Sequence, residues 1–178
     1  RLLIDFEPED LDFMSVGDNI IIKTSGLGLE LLDYPHISLR KCSPALIESF
    51  PLEPAGDGKL SVPVTHVFPP QIMGSGMELF PEFVDQDMAT EDRALMRELG
   101  LSDLRLGDLV AVQVQDHSYG RGYQEGAVVI GLINHGDCIS TGHCPGVMTL
   151  ISCPTPHIVP RIDTDANIAN YLKFGRWA

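Results

Sequence analysis

Residues 106–152 read LGDLVAVQVQDHSYGRGYQEGAVVIGLINHGDCISTGHCPGVMTLIS. Three apolar runs lie in this stretch, at 109–114, 127–133 and 147–152, each short enough for a strand and rich in β-branched residues. Gly107-Asp108 stands directly before the first run, Gly136-Asp137 before Cys138-Ile139-Ser140, and Gly17-Asp18 before an isoleucine run at 19–23. Tight turns that launch apolar strands predict a mainly β, β-rich α+β fold: a strongly curved sheet or small barrel with short peripheral helices. The spacing is too irregular for a repeat.

Outward from this centre, 2–6 reads as an opening strand, 7–14 as one short helix and 19–23 as a buried strand. Segments 28–32 and 37–40 are weaker strand candidates. Ser43-Pro44 has the cap and first-turn proline of a helix over 43–49, and 54–59 is a turn. Residues 60–67 alternate apolar and polar but carry Pro63, which predicts an edge strand. The stretch 68–87, FPPQIMGSGMELFPEFVDQD, reads as a long functional loop or partner-facing flap. A helix follows over 90–99, with Thr90 as cap and Gly100 as stop. A terminal helix is expected at 165–172, and 174–177 packs back or docks on a neighbouring subunit.

At 178 residues the chain suits a single β-rich domain over 1–178. It starts at Arg1, on a strand-like run, so it reads as the C-terminal portion of a longer protein. A net charge of −13, from 25 acidic and 12 basic residues, repels a phosphate backbone and excludes nucleic acid as a partner. No apolar run approaches the roughly 18 residues of a membrane helix, and no secretory signal opens the chain, so the expected location is cytoplasmic and away from the membrane. The four cysteines, Cys42, Cys138, Cys144 and Cys153, are then expected to stay reduced.

The chemistry-bearing residues crowd into 116–149, which holds half of the six histidines among seven glycines. Asp116 and His117 leave a strand end, a rigid mount for proton transfer, although a solvated turn uses the same residues. Arg121, between Gly120 and Gly122, offers the planar fork that clamps a carboxylate or phosphate. Glu125 is a further catalytic candidate, or else pairs with Arg121 across a hairpin. Tyr119 and Tyr123 flank Arg121 as substrate-binding candidates, joined by His66 at the end of its strand and Ser75 in a small-residue loop. His135, Asp137 and His143 are candidate ligands for a divalent metal, zinc, manganese or magnesium, with an open position for water. Structural zinc is not indicated, since no C-x2-C pair occurs. Cys144 as nucleophile is the weaker alternative.

The passages Val64-Thr65-His66-Val67, Ile72-Met73-Gly74-Ser75-Gly76, Leu106-Gly107-Asp108-Leu109-Val110 and Asp116-His117-Ser118-Tyr119-Gly120-Arg121, with Glu125-Gly126-Ala127-Val128, His135-Gly136-Asp137 and Gly142-His143-x-Pro145-Gly146, resemble the family filed as domain of unknown function 4438. The resemblance implies a β-rich fold and a recurring site without a named reaction, and a further N-terminal portion as partner. Where Gly-His-Gly-Pro-Gly is expected, Cys144 takes the middle position, so the resemblance does not imply a cysteine mechanism.

Two functions are therefore expected. The first is a hydrolase- or lyase-like enzyme on a small anionic or amide metabolite, with Arg121 orienting the ligand and Asp116 and His117 handling protons. The second is a non-catalytic binding or assembly module, a homo-oligomer built through 68–87 and 174–177.

Overall fold

The computed structural model describes residues 4, 6–77, 81–90, 92–136 and 142–173. The expected opening strand falls largely outside them, as does the tail at 174–177. Helix α1, Pro8–Leu11, forms where expected, with proline at its start and Glu9 and Asp10 in its first turn. The isoleucine run after it does not form a strand. Ile21 is 96% exposed and among the described residues no strand pairs with this run, so β-propensity has nothing to act on.

Strand β1, Ser38–Leu39, is followed by α2, Pro44–Ser49, whose N-cap Ser43 accepts from Leu46 N at 3.2 Å. Next come β2, Glu53–Pro54, and β3, Leu60–Val64. The expected edge strand is instead the middle of a three-stranded sheet, beside β2 and the parallel β10, Ile158–Ile162. Pro63 is tolerated because β2 pairs only with Leu60 and Ser61, which leaves Pro63 a neighbour on one side. At Thr65 the chain changes sheets, its N–H donating to Leu109 O at 2.8 Å.

Strand β4, His66–Phe68, opens the larger sheet, and a 3-10 turn, Pro70–Ile72, leads to β5, Met73–Gly76, and later β6, Gln86–Met88. The segment read as a loop thus supplies all of β5, most of β6 and the last residue of β4, short strands whose glycines and acids hide the usual alternation. Helix α3, Arg93–Glu98, is capped by Asp92 rather than Thr90, with Oδ1 accepting from Ala94 N and Leu95 N at 2.8 and 3.2 Å. Then come β7, Leu109–Asp116, β8, Gly122–His135, and β9, Gly146–Cys153. Strand β8 starts at Gly122, five residues before the apolar run at 127–133. Helix α4, Ile168–Leu172, closes the described chain behind its cap Asn167.

The larger sheet runs β4-β7-β8-β9-β6-β5, with β1 also paired to β9, and curls into a half-barrel. Strand β7 is apolar throughout its first half because both its faces are buried. Leu109 and Ala111 join a core with Val62, Val64 and Leu150 toward the small sheet, while Val110 and Val112 pack with Phe68, Met88 and Val129 on the other side. Each such Val or Leu contributes about 1.5–3 kcal/mol through burial. β7 then bulges at Val114, a β-branched residue with φ of 58°, and the register to β8 shifts between Gln113 and Gln115. That bulge sets the direction in which Gln115 and Asp116 leave the strand.

Candidate metal centre

Three neighbouring strands bring one row of residues together. Asp87 of β6 is paired with Gly146 of β9, and Gly146 is paired with His135 of β8. Directly opposed residues of antiparallel strands share a face, so Asp87 and His135 point the same way with a glycine between them. A Cβ on Gly146 would overlap His135 Nε2 and lie 2.6 Å from Asp85 Oδ2. The bare backbone of Gly146 is the floor over which these side chains meet.

His135 Nε2 lies 3.0 Å from Asp87 Oδ1 and 3.2 Å from Asp85 Oδ2. Asp85, His135 and Asp87 offer one ligand atom each within 4.8 Å of one another. Each of the three groups also has an outer partner. His135 Nδ1 is 3.1 Å from the Gly136 carbonyl, which can only accept, so Nδ1 carries a proton. Asn134 Nδ2 donates to Asp85 Oδ2 at 2.8 Å, and His143 Nδ1 lies 2.8 Å from Asp87 Oδ2. His135 Nε2 faces two carboxylate oxygens, an arrangement that calls for a proton on Nε2 or for a metal ion between the three groups.

Of the sequence-derived metal ligands, His135 and His143 come together through Asp87, and Asp137 lies outside the described residues. His143 is largely exposed, at the mouth of the cluster, and Ser75 Oγ ties β5 to the same turn by donating to Gly142 O at 2.9 Å.

The other candidates sit elsewhere. His117 is fully buried, with Nε2 3.0 Å from Gln115 Oε1 and Nδ1 2.7 Å from Thr149 Oγ1. Burial pushes its pKa down to about 4, Asp116 opposing and Lys41 and Arg121 adding, so the ring is neutral near pH 7. Asp116 Oδ1 accepts from the hydroxyls of Ser118 and Ser152 at 2.7 and 2.9 Å. Both residues thus join the β7 end to β9. Arg121 donates to the Gly74 carbonyl and, through its own N–H, to Met77 O at 3.0 Å. Glu125, Tyr119 and Tyr123 are exposed. His66, on β4 at the far end of the sheet order, bonds Thr65 Oγ1 at 2.8 Å and Asp103 at 3.1 Å.

Asp85, Asp87 and Asn134 were not among the site residues read from the sequence, and Gly146 figured there only in the passage Gly142-His143-x-Pro145-Gly146. A usable signal existed: Asp85-Gln86-Asp87 before buried Met88 is an i, i+2 carboxylate pair, which a strand projects onto one face.

The family description "Domain of unknown function (DUF4438), C-terminal" matches residues 50–172, and its N-terminal counterpart matches residues 1–48. The chain thus carries residues of both parts, not of the C-terminal part alone. A solved structure, "Crystal structure of TM1086", is similar at 38% identity and a TM-score of 0.75, over 82% of this chain and 51% of that one. The chain spans about half the length of that relative. No curated protein matches it.

Proposed function

We propose that this chain, which belongs to the DUF4438 family, carries a metal-assisted enzyme site of the hydrolase or lyase type, acting on a small anionic or amide metabolite. The observation that carries the reading is the convergence of Asp85, Asp87 and His135, each held by an outer hydrogen-bond partner. A metal-binding histidine commonly donates its second N–H to a carbonyl, and ligating carboxylates are held by hydrogen bonds, as Asn134 and His143 hold these. Three protein ligands beside an exposed mouth suit a catalytic ion better than a closed structural one. Mixed imidazole and carboxylate donors favour zinc, manganese or ferrous iron over calcium.

A bound divalent ion would supply Lewis-acid polarisation of a carbonyl and activation of water near neutral pH. Asp85, Asp87 and His135 would hold it, and Gly146 keeps the space beside them open. A cytoplasmic setting agrees with the free, buried thiols of Cys42 and Cys153, and among the described residues no helix is long and apolar enough to cross a membrane.

The test is metal content. Protein incubated with zinc, manganese or magnesium and dialysed is expected to retain about one ion per chain, lost in His135→Ala and in Asp87→Asn. Absence of a stoichiometric ion, with unchanged thermal stability on adding each metal, leaves a protonated His135 as the cation of the cluster and ends the metal reading.

A second reading, a binding or assembly module, is favoured by the apolar residues between α1 and β1. Phe13, Ile21, Leu27 and Leu32 are each at least 87% exposed, an arrangement that a partner surface would cover. The occupant is a second copy or a further portion of the polypeptide. Sedimentation of the parent against Ile21→Ser/Leu27→Ser decides it: an assembly that this pair dissociates supports the module, and a monomer in both removes it as a homo-oligomer.

A further inference from the structure

Lys41 is unusual for its backbone, its reach and its neighbours. Its φ of 52° lies in the left-handed region, a conformation that costs a non-glycine residue about 1–3 kcal/mol and persists where the surroundings hold it. The surroundings do hold it: Cys42 is buried behind it, and ahead of it Arg40 pairs with Glu82 at 3.2 Å and donates to Ser118 O at 3.1 Å. From this fixed point the side chain crosses to the residue before Asp85, with Nζ donating to Val84 O at 2.9 Å. An ammonium carries three donors, and among the described residues no other acceptor takes the remaining two.

The hydrogen bond to Val84 O sets this ammonium beside Asp85, the acid acting on it most strongly, ahead of Glu82. Lys41 and Glu82 also line a groove of about 1050 Å³ whose wall includes Arg40 and Leu39, so Lys41 borders both the groove and the strand that carries the candidate ligands. A cation beside Asp85 in a chain of net charge −13 marks a local exception in an acidic field.

We infer that Lys41 is the anion-binding residue of a subsite next to Asp85, Asp87 and His135, and that it selects a small carboxylate ligand over a neutral amide. The inference rests on the metal reading and narrows its ligand class. One end of the carboxylate faces the centre, and its negative charge meets the two uncommitted N–H donors of Lys41.

The experiment uses the full chain loaded with cobalt(II), whose visible absorption reports its surroundings, and oxalate as the probe. Lys41→Gln removes the charge while its amide still reaches a hydrogen-bond acceptor such as Val84 O. Cobalt affinity is expected to hold within about threefold, while the oxalate Kd rises about tenfold or more, and Lys41→Arg recovers most of the loss. Unchanged oxalate affinity in Lys41→Gln overturns the subsite and leaves the metal reading intact. Loss of cobalt itself in that variant gives Lys41 a structural part and also overturns the subsite. No cobalt uptake by the parent protein removes the metal reading and this inference together.

Discussion

His135 Nε2 and Asp87 Oδ1 lie 3.0 Å apart although their strands are not neighbours: β9 runs between them, and Gly146 is the residue of β9 over which they touch. Contact between side chains two strands apart requires the intervening residue to have none. Gly146 has no left-handed backbone requirement, so its service is space alone.

Gly146→Ala tests that service. The added methyl cannot coexist with the present positions of His135 and Asp85, so the pair must separate. Metal affinity, followed by cobalt absorption, is expected to fall by at least about tenfold, with a fold penalty of about 1–3 kcal/mol from overpacking. Metal affinity equal to that of the parent would show that the three groups do not bind over this strand.

Asn134→Leu keeps the volume near Asp85 and removes the donor that holds Oδ2 at 2.8 Å. Losses of outer partners of this kind cost about 10–100-fold in metal affinity. Titration with zinc against a competing chelator measures it. A value within about twofold of the parent would mean that Asp85 needs no such support.

His117 makes stability depend on pH in one direction. Its pKa is pushed down by burial from 6.5 to about 4, so between those values the unfolded chain binds a proton that the fold refuses. The contribution is fully present above about pH 6.5 and is lost as pH falls toward 4, on the order of 3 kcal/mol for this group alone. Urea unfolding at pH 7.5, 5.5 and 4.5 should show the parent weakening over this range. His117→Gln, which keeps hydrogen-bonding capacity, should weaken less by about that amount, and parallel losses in both proteins would assign the effect to other groups.

The sequence disclosed strands whose burial is continuous and helices whose caps are local. β7 and β9 stand close to their expected bounds, and α2 begins at the serine that caps it. Long-range placement was not legible. Ile20, Ile21 and Ile22 have the composition of a strand and, among the described residues, no strand to pair with, whereas Gln86–Met88, only three residues long, is a strand because β5 and β9 flank it. The centre was half visible for the same reason. His135 and His143 lie among glycines that draw attention, while the two aspartates come from a segment 48 and 56 residues away along the hydrogen bonds that join Asp87 to them. Local sequence cannot show which distant strand will lie beside β9.

Asp108 carries the clearest stability prediction, because the Gly-Asp turn noticed in the sequence proves to be a buried hub. Its carboxylate has no exposure, and it accepts from Arg105 N at 2.9 Å, Arg105 Nη2 at 2.9 Å and Asn167 Nδ2 at 2.8 Å. It thereby fastens the start of β7 to the cap of α4, while Gly107 makes room for the Asn167 side chain. Asp108→Ala leaves Asn167 without its buried acceptor and frees Arg105, a loss of about 2–3 kcal/mol. Asp108→Asn has the same shape yet turns one oxygen into a donor against four donors, Arg105 Nε at 3.1 Å included, so it should fail nearly as badly. Asp103→Ala, which removes an exposed partner of His66, should change little. Thermal or urea unfolding of the three variants checks the order. An Asp108→Asn protein as stable as the parent would show that this turn is held by shape and not by charge-assisted hydrogen bonds.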